Sequence, residues 1–76
     1  MTLDQLPRGS SAVITALDTR GAERHRLMDL GVLPGRKVRP DLTSPLGDPT
    51  AYLVCESLIV LRRSQARAIH VELVKT

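Results

Sequence analysis

Thr50-Ala51-Tyr52-Leu53-Val54-Cys55-Glu56-Ser57-Leu58-Ile59-Val60-Leu61 is the stretch on which the fold turns. Two apolar runs, Thr50 to Val54 and Leu58 to Leu61, flank the polar break Cys55-Glu56-Ser57. Aliphatic and aromatic side chains of this kind fit a pleated, half-buried surface. Two such runs this close together predict a β-hairpin. Downstream, Ile69, Val71 and Leu73 alternate with His70 and Glu72, the period-two signature of a half-buried strand. Between them, Ser64 is placed to cap one short turn running through Ala68.

Upstream of the hairpin, Ser44-Pro45-Leu46-Gly47-Asp48-Pro49 reads as a loop, with two prolines and a glycine. Lys37-Val38-Arg39-Pro40-Asp41-Leu42 reads as a strand. Pro40 cannot donate to a ladder, so this strand lies at an edge or is bulged there. Leu33-Pro34-Gly35-Arg36 has the residues of a type II turn. From Ala22 to Leu30 the period changes. Leu27 and Leu30 share a helix face, Glu23 sits in the first turn, and Gly31 follows as a C′ residue. Ala12–Leu17 is a further strand, ended by Asp18-Thr19-Arg20-Gly21. Thr2-Leu3-Asp4-Gln5 fits a capping box opening one helical turn, with Leu3 and Leu6 on one side. The result is a mainly β chain: a small five-stranded barrel, closed or nearly so, with one short α-helix and one or two helical turns.

Composition bounds what such a chain does. Seventy-six residues predict a single domain over 1–76 with one small core. Hydrophobic residues make up 42% of the chain, which is enough for that core, yet Tyr52 is the one aromatic ring. Single-stranded nucleic acid needs stacking platforms, and Pro-rich peptides need an aromatic groove. A single ring weakens both readings. A single cysteine excludes an internal disulfide framework and Cys-pair zinc motifs. No apolar run reaches the roughly 20 residues of a membrane span. The start, Met1-Thr2-Leu3-Asp4-Gln5, lacks the features of a secretory signal. These observations predict a cytoplasmic protein without membrane insertion. Lys and Arg number 11 against 8 Asp and Glu, so the net charge is 11 − 8 = +3, which favours acidic partners.

Several clusters could carry chemistry. Gly31-Val32-Leu33-Pro34-Gly35-Arg36-Lys37 is not a phosphate loop, because its glycines are spaced too closely and Arg-Lys replaces Lys-Ser/Thr. His25 and Asp29 lie four apart, as a surface pair or half of a metal site. Cys55 or Glu56 with His70 would be the other half if neighbouring strands brought them together. No zinc spacing is present, so no cofactor is expected to be required. Weak Zn²⁺ or Fe²⁺ binding would be adventitious or shared between molecules. Cys55 as a nucleophile lacks any orienting or oxyanion group and reads better as a small apolar residue. Arg24 and Arg26 in one stretch and Arg62 in another read as a solvated face or as a docking surface for an acidic partner.

Taken in order, the pieces resemble the FeoA family. Leu27-Met28-Asp29-Leu30-Gly31-Val32-Leu33-Pro34-Gly35 resembles its helix-to-turn signature, and Pro45-Leu46-Gly47-Asp48-Pro49 its loop. Leu61-Arg62-Arg63, with Ala66 and Ile69-His70-Val71, resembles its C-terminal pattern; Leu3, Leu6, Gly9 and Ile14 fit its opening. The resemblance implies an SH3-like barrel. It also implies a non-enzymatic accessory role in bacterial ferrous-iron uptake, docking on FeoB, a membrane transporter with a cytosolic G domain. An effect on nucleotide turnover or assembly would follow from docking. A metal chaperone and a small nucleic-acid-binding barrel are the alternatives, and nucleic acid is not expected. The chain is expected to be a monomer or a weak homodimer. Leu46, Gly47, Asp48 and Pro49, with the exposed side of the helix, are the residues expected to meet the partner; Arg24, Arg26 and Arg62 would steer it. Glu56 stands where many members have Gly, which implies a wider turn or a different register there.

Overall fold

A computed structural model describes residues 1–43, 45 and 47–74. A 3-10 turn, Leu3–Gln5, opens the chain. It is followed by β1 (Ala12–Leu17), α1 (Gly21–Asp29), β2 (Lys37–Thr43), β3 (Thr50–Val54), β4 (Ser57–Leu61), α2 (Arg63–Ala66) and β5 (Ile69–Leu73). Among the described residues, no helix is long and apolar enough to cross a membrane.

The hairpin forms in one unbroken register, from Thr50 opposite Leu61 to Val54 opposite Ser57. Only Cys55 and Glu56 lie between the strands, so the wider turn or shifted register expected at Glu56 does not occur. Cys55 takes the left-handed conformation instead, at φ 56°. Its N–H donates to the Lys37 carbonyl at 3.2 Å, which continues the β2–β3 ladder into the turn.

Pro40 is accommodated by both a bulge and an unpaired flank. β2 pairs with β1 through Lys37 and Val38, so Pro40 lies beyond that ladder. On the β3 side it faces Tyr52, and the register then slips by one residue at Asp41. A second slip at Thr15 bends β1 against β5.

The helix stops where sequence chemistry dictates. Gly31 sits at φ 100°, its N–H bonds the Met28 carbonyl at 3.0 Å, and the Val32 N–H bonds the Leu27 carbonyl at 3.0 Å. These two bonds define a Schellman motif. Leu27 and Val32, which accompany it, are fully buried. Leu30, expected to share a helix face with Leu27, is the C-cap and is 43% exposed. The Arg36 N–H bonds the Leu33 carbonyl at 3.2 Å with Gly35 at φ 93°, as a type II turn requires.

All five strands form one antiparallel sheet in the order β4-β3-β2-β1-β5. The sheet is open. The expected SH3-like barrel is not formed, because β4 and β5 end the sheet without pairing to each other. The outer edge of β5 is already occupied: the Val71 N–H donates to the Met1 carbonyl at 2.9 Å, and Thr2 bridges to His70. The core is roofed instead by non-strand residues. Leu3, Leu6, Leu27, Val32 and Ala66 pack with Ile14, Tyr52, Ile59, Leu61, Ile69 and Val71. The one ring is therefore part of the core. The short turn after β4 also differs from expectation: Arg62 is the N-cap of α2, and Ser64 lies within the turn.

Candidate functional site

One end of the molecule gathers the loop before β3, the end of β4, α2 and the exposed side of α1. Local polar bonds hold it. The Asp48 Oδ1 accepts the Arg63 N–H at 2.8 Å, which ties the loop to α2. The Gln65 Oε1 accepts the Arg62 N–H at 3.0 Å, and the Gln65 Nε2 donates to the Glu23 Oε1 at 3.3 Å. A glutamine at the third position thus satisfies an end donor of α2 while linking it to α1. The opening turn repeats the device, with Gln5 Oε1 accepting the Thr2 N–H at 3.1 Å.

These links frame a depression of about 520 Å³ lined by Arg26, Leu30, Pro49, Val60, Arg62 and Gln65. It joins two guanidiniums to apolar surface, since Leu30 is 43% and Val60 61% exposed. Three of the expected contact residues, Arg26, Pro49 and Arg62, line this one surface although they are far apart in sequence. Leu30, Val60 and Gln65 were not signalled. An exposed apolar residue on an edge strand looks in sequence like a core residue.

The other expected residues fall elsewhere. Arg24 donates to the Leu17 carbonyl at 3.1 Å, bracing α1 against β1. Gly47 lines a second depression, of about 280 Å³, with Asp4, Arg8, Thr50, Tyr52 and Arg63. Leu46 lies outside the described residues. In the second depression, burial pushes the Tyr52 phenol above the usual tyrosine value. A hydrogen bond from Thr50 pulls it back, Asp4 raises it, Arg63 lowers it and Asp48 raises it. A third depression, about 680 Å³, is lined by Arg36, Lys37, Arg39, Leu53, Cys55 and neighbours at the hairpin turn.

The metal candidates are not brought together. β2 and β1 lie between β3, which leads into Cys55 and Glu56, and β5, which carries His70, so these strands are not neighbours. His70 faces Asp18 instead, at 3.9 Å. His25 and Asp29 remain one helical turn apart on α1. Among the described residues, no three His, Cys, Asp or Glu side chains are placed to hold a metal ion, and zinc sites take at least three protein ligands.

Known proteins place the chain. Residues 1–73 match the FeoA domain. The iron(II) transport protein A of Clostridium thermocellum is 34% identical and superposes with a TM-score of 0.93, covering 97% of this chain and 46% of that one. The FeoA of Stenotrophomonas maltophilia, solved as a zinc complex and described as a procaryotic SH3 domain protein, is 33% identical with a TM-score of 0.82; coverage is 95% of this chain and 89% of that one. A fusion of Fe(2+) transport protein A with the Fe(2+) transporter FeoB in Porphyromonas gingivalis is 34% identical over all 76 residues. The chain spans 9% of that fusion protein's length. With a family match across nearly its whole length and these relatives, the chain belongs to the FeoA family.

Proposed function

We propose that this chain is a non-catalytic accessory module of ferrous-iron uptake. It docks through the Arg26–Arg62 depression onto an acidic and apolar surface of the cytosolic part of a FeoB-type transporter. The observation that carries this reading is the Porphyromonas gingivalis fusion, in which a relative of this chain and a FeoB transporter share one polypeptide. The depression supplies a fitting contact: paired guanidiniums for carboxylates, beside exposed aliphatic surface. Pro49 lies in this lining, and Asp48, bonded to the Arg63 N–H, holds the preceding loop against it; docking then biases GTP turnover or transporter assembly. Among the described residues the metal candidates do not converge on one site, so the proposal assigns no resident metal centre; the zinc of the Stenotrophomonas maltophilia protein is a property of that complex.

Calorimetric titration of the chain into the isolated cytosolic part of a FeoB-type transporter tests the proposal, with and without a GTP analogue. Saturable binding, accompanied by a changed rate of GTP hydrolysis or of assembly, is expected. Absence of binding in every nucleotide state would overturn it.

A further inference from the structure

The two edges of the sheet are treated differently. The β5 edge is occupied by the N-terminus: Val71 and Met1 exchange backbone bonds at 2.9 and 3.4 Å. The β4 edge, Ser57–Leu61, carries no charge, proline or bulge, the usual devices that keep an edge from pairing.

The register shows which groups that edge offers. Cys55 directs its N–H to β2, so residues 53 and 55 face β2, while 52 and 54 face β4. Their partners on β4, Ile59 and Ser57, therefore turn their backbone groups inward. Leu58 and Val60 turn theirs outward, and their side chains are 55% and 61% exposed. Two residues thus present both an open ladder and an apolar surface.

We propose that β4 pairs antiparallel with β4 of a second copy, about a two-fold axis at Ile59. In that register Leu58 of each copy exchanges both backbone bonds with Val60 of the other, which uses every outward group on these residues. Aliphatic cross-strand pairs form at the same positions. Carried two residues further at each end, the register sets Glu56 of one copy opposite Arg62 of the other. Edge, apolar pairs and charges are all self-complementary, as an isologous contact requires. Val60 and Arg62 also line the docking depression, so self-pairing and partner docking compete. The self-pairing does not itself depend on the docking proposal.

Analytical ultracentrifugation from micromolar to about 1 mM protein reads the association. Wild type is expected to show a concentration-dependent dimer. Val60→Pro removes an outward N–H that β3 does not use, so the hairpin is retained and the dimer is lost. Glu56→Arg and Arg62→Glu each place like charges opposite one another and weaken self-association by about tenfold. An equimolar mixture of these two charge variants restores opposite charges at both ends and is expected to form the mixed dimer. A wild type monomeric throughout this range would overturn the proposal, as would charge variants whose mixture associates no better than either alone. The charge variants also decide the matter if Val60→Pro fails to fold.

Discussion

Gly31→Ala isolates the motif that ends α1 and aims its last turn. Gly31 lies at φ 100°, where an L-residue is strained. Space is not the obstacle: a Cβ added there would meet only the Arg36 Nη1, at 3.8 Å. The cost is therefore conformational, roughly 1–2 kcal/mol for a left-handed non-glycine residue. Alanine also restricts the unfolded chain, which returns about 0.4–1 kcal/mol. The net loss is about 1 kcal/mol, or about 4–8 °C in Tm for a chain of this size. Thermal and urea unfolding followed by circular dichroism measure it. Gly31→Asn should lose less, because asparagine tolerates the left-handed region. If Gly31→Ala melts at the wild-type temperature, or Asn costs as much as Ala, then backbone strain is not what selects glycine here.

Other outcomes follow from the core and its links. Tyr52 is the one tyrosine, so phenolate absorbance reports it alone; its midpoint should lie above the usual value of 10.0, because the buried neutral form is favoured. The unfolded chain ionises first, so this stabilisation is complete below pH 10.0 and declines as pH rises through the higher native value, visible as a falling urea midpoint. Leu27→Ala empties a fully buried position and should cost about 2–5 kcal/mol in urea unfolding. Gln65→Ala removes two exposed hydrogen bonds and should cost about 1 kcal/mol, with faster exchange of the Arg62 amide. Gln65→Glu should protect that amide again, since the acceptor oxygen is kept.

Much of this architecture was legible because local chemistry coincided with the fold. Pro34-Gly35 announced its turn, Gly31 its helix end, and the alternation of Ile69 to Leu73 its strand. Closure was not legible. Whether five strands form a barrel depends on what occupies their edges, and nothing in Met1-Thr2 announces pairing with β5. The turn at Cys55 misled for a related reason: which of two residues takes positive φ is set by the pairing around it. At the site, the charges were readable and their gathering was not. Arg26, Pro49 and Arg62 meet through three separate elements, whereas Arg24, two residues from Arg26, is drawn to the Leu17 carbonyl. The placement of the metal candidates was no more readable, because the sheet order inserts two strands between β3 and β5.

Amide chemical-shift mapping of this chain, titrated with the cytosolic part of a FeoB-type transporter, tests the docking proposal most directly. The largest changes are expected at Arg26, Leu30, Val60, Arg62 and Gln65. They should shrink at high salt, because exposed charges are screened within about 8 Å at physiological ionic strength. Changes confined to the hairpin-turn depression at Arg36, Lys37, Arg39 and Leu53, with the Arg26–Arg62 depression unmoved, would contradict it.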